Sequence, residues 1–161
     1  MGSVVPLKKY ANSAYIDLKN LMLNKLTKVE DLIELKLKSD VNLIKKMSDH
    51  HLGSGGKRLR ALLTLGSAKL SGYVHGNRDI NLAACVELIH SATLLHDDVI
   101  DESVMRRGIK TTNSIWGNHS SILVGDYLLS RCFEIMVQDG DLEVLQLLSS
   151  TSAKIAQGEV L

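Results

Sequence analysis

Glu87-Leu88-Ile89-His90-Ser91-Ala92-Thr93-Leu94-Leu95-His96-Asp97-Asp98-Val99-Ile100-Asp101 decides how the rest of the chain is read. From about Ile80 to His96 nearly every residue is apolar or small, without the alternation of a half-buried strand. A helix that is apolar on every side is buried on every side. The stretch therefore predicts the central helix of an all-α fold, running from about Ile80 to Asp101. Its end is chemically different. On a helix Asp97 and Asp101 stand one turn apart on the same face, so their carboxylates converge. Asp98 points about 100° away. Converging carboxylates repel each other unless a cation sits between them. All-oxygen ligands suit Mg2+, which keeps several waters and accepts one or two carboxylates plus substrate phosphates. The plain alternative is a solvated acidic helix end.

The flanking residues favour the metal reading. His90 stands seven residues before Asp97, two turns along the same face, and Arg106 and Arg107 follow just past the helix. Upstream, Lys57, Arg58 and Arg60 come directly after Gly53-Ser54-Gly55-Gly56, at the predicted start of a helix from about Lys57 to Leu70. A helix amino terminus offers free N–H groups and a positive dipole to an anion, and Lys57 and Arg60 would share a face. A carboxylate–Mg2+ cluster, two basic clusters and a neutral histidine donor describe a site for two phosphorylated ligands.

Further helices are predicted from Tyr10 to Leu37, where Ala14, Leu18, Leu21, Met22, Ile33 and Leu37 recur at helical spacing, and from a cap at Asp40 through Leu52. Asn77 to Asp79 read as a loop and cap, and Arg106-Arg107-Gly108 as a break. Helices then follow over about Ser121 to Val137 and Leu142 to Leu161. The 161 residues are 45% apolar and 4% aromatic with a single proline, Pro6, a balance that suits helices and one domain. A net charge of +1 argues against a general nucleic-acid surface. No apolar run approaches the roughly 20 residues of a membrane span. The start of the chain lacks an apolar signal region, and Pro6 stands where a myristoylation motif wants Ser or Thr. Cys85 and Cys132 form no metal or redox pattern and read as buried thiols in a reducing cytoplasm. A phosphate loop of the GxxxxGK[ST] type fails twice: its first glycine falls on His51, and Arg58 follows Lys57. His50, His51 and His96 have no zinc-ligand spacing. Trp116 and Phe133 read as core packing.

These segments together resemble the trans-polyprenyl diphosphate synthase family. Gly55-Gly56-Lys57-Arg58-Leu59-Arg60 is similar to the family's GGKRxR loop, and Glu87 to Glu102 to its first aspartate-rich helix, followed by its arginine pair at Arg106 and Arg107. Val124-Gly125-Asp126-Tyr127-Leu128 and Ala156-Gln157-Gly158-Glu159 resemble two further helical segments. The resemblance runs in order from His51 to the last residue and is nearest to the longer-chain bacterial members, with octaprenyl diphosphate, a quinone side-chain precursor, as the expected product.

The resemblance implies an antiparallel helix bundle of the isoprenoid synthase type around a deep cavity, in a cytoplasmic homodimer. Isopentenyl diphosphate would be held by Gly56, Lys57, Arg60, His90 and Arg107. The allylic prenyl diphosphate would be held through Mg2+ on Asp97 and Asp101, with Arg106 in direct contact. Asp97, Asp98 and Asp101 form the catalytic motif; loss of diphosphate leaves an allylic cation that the double bond of isopentenyl diphosphate attacks. Ala92 and Thr93, five and four residues before Asp97, would leave the floor of the product tunnel open. Two departures stand out. Ala61 replaces the family's usual proline, with little expected effect. No second aspartate-rich motif follows, so residues 1–161 are expected to be the amino-terminal half of one synthase domain, inactive alone. A non-catalytic or regulatory subunit of a heteromeric synthase is the alternative. A terpene cyclase would not need the Gly55–Arg60 loop.

Overall fold

The nearly all-apolar stretch forms α4 (Arg78–Ile100), the helix around which the others assemble. The computed structural model describes residues 7–160, so the reading of Pro6 and the expected helix end at Leu161 lie outside the described residues. The elements run α1 (Leu7–Lys36), α2 (Asn42–Gly53), α3 (Leu59–Leu70), α4, β1 (Met105–Arg106), β2 (Ile109–Lys110), α5 (Thr112–Trp116), α6 (Asn118–Asp139) and α7 (Leu142–Val160). Among the described residues the fold is all-α, as expected, apart from one two-stranded hairpin. No helix among the described residues is long and apolar enough to cross a membrane.

α6 packs most extensively on α4, with α3 and α1 covering other sides. Small residues make that close approach possible: Ala83, Ala84, Ser91 and Ala92 on α4 are buried, as are Ser121 and Gly125 on α6. Leu88, Leu95 and Leu128 have no exposed surface, and each such leucine contributes about 2–3 kcal/mol of burial free energy. The two thiols are buried as expected. Each also points at the other's helix, with Cys85 Sγ 3.7 Å from the Cys132 carbonyl and Cys132 Sγ 3.6 Å from that of Cys85. On α1 the buried stripe is Met22, Leu26, Val29, Ile33 and Leu37. Ala14 and Leu21, expected on that stripe, are exposed because each lies one residue, about 100°, off the line of Tyr15, Leu18 and Met22.

Several boundaries differ from expectation. Asp40 does not cap α2: the cap position is Val41, whose N–H donates to Ser39 Oγ at 3.1 Å. α3 begins at Leu59 rather than Lys57, because Arg58 takes a left-handed conformation (φ 46°) and breaks the helical path. Lys57 is therefore a loop residue and does not share a helical face with Arg60. The expected break at Arg106-Arg107-Gly108 is the β1–β2 hairpin, with Arg107 (φ 52°) and Gly108 (φ 83°) both left-handed at its tip, as a two-residue turn between twisted strands requires. α5 was not expected, and α6 starts before Ser121. Arg78 bridges Asp139 and Asp141, tying the start of α4 to the junction of α6 and α7.

α7 touches α6 only sparingly and leaves much of the apolar surface of both helices open. Phe133, expected in the core, is 54% exposed, and Val137 and Leu142 are 71% and 77% exposed. A contiguous apolar face of this kind drives association. The isolated 161-residue chain is expected to elute as species larger than one chain in size exclusion with light scattering; a sharp, concentration-independent monomer would contradict this.

Candidate substrate site

α2 ends at Gly53, and the loop that follows turns back through Gly55 (φ 76°) so that Gly56, Lys57, Arg58 and Arg60 face α4. They line a cavity of about 530 Å³ together with His51, Glu87, His90, Arg106 and Arg107. The hairpin arginine crosses the loop at Gly56, where it donates to the Gly55 carbonyl; a Cβ on Gly56 would lie 2.7 Å from Arg107 Nη1 and would push that guanidinium aside. Lys57 is held from the other side by α1: its carbonyl accepts from Tyr15 Oη at 3.1 Å, and its ammonium lies 5.6 Å from the Tyr15 ring centre.

Two imidazoles sit among these cations. Burial first, then Arg106, His90 and Arg107, pushes His51 down to about 4. Burial first, then Arg60, Arg107 and Arg106, brings His90 to about 4. Both rings are therefore neutral at pH 7. His90 is neutral, and His51, considered from the sequence only as a zinc ligand, is a second neutral imidazole on the cavity wall. The zinc reading fails on placement. His50 donates to the Lys110 carbonyl at 2.8 Å and meets Trp116 edge-on, while the His96 ring, on α4, turns against α6. Its Nε2 is 3.2 Å from the Ile122 carbonyl and 3.5 Å from Asp126. The ring occupies the space that a Cβ on Gly125 would need.

The three aspartates take separate places. Asp98 is buried; its Oδ1 accepts from Arg106 Nε at 2.9 Å and lies 2.9 Å from Arg106 Nη2 in an ion pair. It faces the hairpin, away from Asp97. Asp97 borders the grooves on the far side of the cavity, and Asp101 is the exposed carboxy-terminal cap of α4, one turn on. Among the described residues no three acid, histidine or cysteine side chains gather into a metal cluster. The donors present are thus two carboxylates, which fit Mg2+ completed by water and substrate phosphate.

Arg60, His90 and Leu94 border both the basic cavity and a second space along α4, lined by Val86, Ile89, Thr93, Asp97 and Ile155. That space shares Ile89, Thr93 and Asp97 with an apolar groove of about 510 Å³ between α4, α6 and α7, where Leu129, Phe133 and Met136 lie. One face of α4 thus runs from cations to hydrocarbon. Thr93 is on that face. Ala92, one residue and about 100° round the helix, has no exposed surface and belongs to the core, so it does not line the grooves. Sequence reasoning gave no site role to Glu87, His51 or Tyr15. Only the pairing of an acid with a basic loop could have drawn attention to the first.

A polyprenyl synthetase family model matches residues 41–161. The chain is 47% identical over 126 residues to octaprenyl diphosphate synthase of Escherichia coli, covering 78% of this chain and 39% of that protein. Its structure resembles that of a decaprenyl diphosphate synthase from Rhodobacter capsulatus (TM-score 0.88, 45% identity, 91% of this chain and 45% of that one). It is as similar to a polyprenyl synthase from Caulobacter crescentus complexed with calcium and isoprenyl diphosphate (TM-score 0.88, 43% identity, 91% and 44% covered). The chain thus spans less than half the length of these relatives. Matched in sequence from residue 41 to 161 and in fold over nearly its whole length, the chain belongs to the polyprenyl synthetase family.

Proposed function

We propose that this chain forms the isopentenyl diphosphate side of a trans-polyprenyl diphosphate synthase. The enzyme condenses isopentenyl diphosphate with an allylic prenyl diphosphate to give a long-chain product, octaprenyl diphosphate by its similarity to the Escherichia coli enzyme. The observation that carries this reading is the continuity along α4 of a cavity rich in Arg and Lys with an apolar groove, Asp97 standing between them. An anionic head and a hydrocarbon tail need that order. The same reading makes residues 1–161 part of a single synthase domain that acts in a cytoplasmic homodimer.

Gly56, Lys57, Arg60 and Arg107 hold the diphosphate of isopentenyl diphosphate through backbone N–H groups and charge-assisted hydrogen bonds, with neutral His90 as a further donor. Asp97 and Asp101 would hold Mg2+, which when bound supplies positive charge against the allylic diphosphate as it leaves. Arg106 adds a cation on the same side and is itself held by Asp98. Cations already in place lower the barrier because they need no rearrangement as charge develops. Thr93, Ile89 and Val86 bound the path of the growing tail, and their modest size leaves it open; Ala92 acts on that path only through packing.

Calorimetric titration of the chain with isopentenyl diphosphate, and with isopentenol as control, tests this. The diphosphate is expected to bind and the alcohol not. Lys57→Ala or Arg60→Ala is expected to weaken binding about 10- to 100-fold, the loss of one charge-assisted hydrogen bond of about 1.5–3 kcal/mol. Supplied with Mg2+, farnesyl diphosphate and labelled isopentenyl diphosphate, the chain alone is expected to yield no elongated product. A folded chain indifferent to diphosphate would refute the assignment of the cavity.

A further inference from the structure

The basic cavity contains one acid, and a carboxylate is out of place where an anion is to bind. Glu87 is 4% exposed and is the only carboxylate among the described residues that line the cavity. Its presence works against anion binding by simple charge, so it needs another reason to be there.

Its contacts supply one. Glu87 Oε1 accepts from the backbone N–H of Ala61 at 3.1 Å, and Oε2 lies 3.7 Å from Arg58 Nη1. Arg58 is the cap residue of α3 and makes no side-chain cap to it. It also sits in a left-handed conformation that a residue with a side chain adopts only when its surroundings impose it. Its guanidinium is anchored at further points, to the Leu52 carbonyl at 3.3 Å and to Glu30 at 3.5 Å. The unmet need at the start of α3 is an acceptor for its free N–H groups. Glu87 meets it from another helix and restrains the strained Arg58 as well. Ala61 takes part only because it has an N–H, which a proline there would lack. Gly56 and Lys57 precede Arg58 and Arg60 follows it, so the residue that fixes Arg58 fixes the direction of all three.

We infer that Glu87 is a positioning residue: it clamps Arg58 and the first turn of α3 to α4, and so aims Gly56, Lys57 and Arg60 at a diphosphate it does not touch. This rests on the cavity being the diphosphate site. The sign of the effect separates positioning from charge. Were charge all that mattered, removing this anion would tighten diphosphate binding. With Glu87 as the clamp, removing it weakens binding.

The test uses the 161-residue chain, inorganic pyrophosphate as probe, and backbone amide exchange of residues 55–61 measured in parallel. Glu87→Leu is expected to weaken pyrophosphate at least about tenfold and to speed exchange at Ala61, with exchange in the α4–α6 core unchanged. Glu87→Gln keeps an oxygen for Ala61 and is expected to restore most of the affinity and the Ala61 protection. Pyrophosphate binding as tight as or tighter than wild type in Glu87→Leu would overturn the inference. Should wild type itself not bind pyrophosphate, the diphosphate reading fails, and unchanged Ala61 exchange in Glu87→Leu would then overturn the clamp on its own evidence.

Discussion

Replacing Arg106 with methionine is expected to destabilise the fold by about 3–5 kcal/mol, the cost of breaking a buried ion pair from one side. The Asp98 side chain is 2% exposed and that of Arg106 30%, so the carboxylate is the partner that solvent cannot rescue. Its Oδ1 accepts the Arg106 Nε hydrogen bond and pairs with Nη2, and its backbone carbonyl accepts from Asn113 Nδ2 at 3.0 Å. Removing Arg106 leaves a negative charge in the core with no cation. Asp98→Asn is expected to cost far less, about 1 kcal/mol, because the partly exposed arginine can be hydrated and the amide oxygen still accepts. The double substitution Asp98→Leu with Arg106→Met should recover part of the loss. Urea unfolding measures all three. A loss below about 1 kcal/mol for Arg106→Met would show that the pair contributes little, and that Arg106 is free to serve a ligand.

Stability is also expected to fall as pH drops from 6.5 towards 4. His51 and His90 both start from an ordinary value of 6.5 and are brought to about 4 in the folded chain, by burial and then by the surrounding arginines. Between those values the unfolded chain binds protons that the folded chain refuses, so protonation favours unfolding. The stability is fully present above 6.5 and is lost as pH falls through that window. A shift of this size corresponds to about 3 kcal/mol per ring. Both rings are partly exposed, so after solvent screening the two together are expected to contribute about 3 kcal/mol. Denaturation at pH 7, 5.5 and 4.5 measures the slope. The double variant His51→Gln with His90→Gln should flatten it above pH 4.5, and an equal slope in that variant would assign the loss to other groups.

The sequence alone determined the secondary-structure class, the central helix and the family. α4 was legible as a helix because its apolar run lacks a strand's alternation, but burial on every side was not met: the face carrying Val86, Ile89 and Thr93 is half-buried and lines the grooves. The GGKRLR loop was legible as a basic cluster after glycines, and the structure brings it to the wall of the cavity beside α4. Legibility failed where one residue's role is set by another far away. Asp98 differs from Asp97 by one position, yet it is a buried ion-pair partner because the hairpin brings Arg106 to it. Ala92 and Thr93 are neighbours on one turn, and the packing around α4 puts one in the core and the other in the groove. Asp40 looked like a cap, but the approach of the chain placed Val41 there. Glu87 meets Ala61 across 26 residues, and Arg107 meets Gly55 across 52. Periodicity reports only on a residue's own helix. Contacts at such separations form when α1, α3 and α6 close on α4, so only the tertiary structure decided which charges meet, which are buried and which face the cavity.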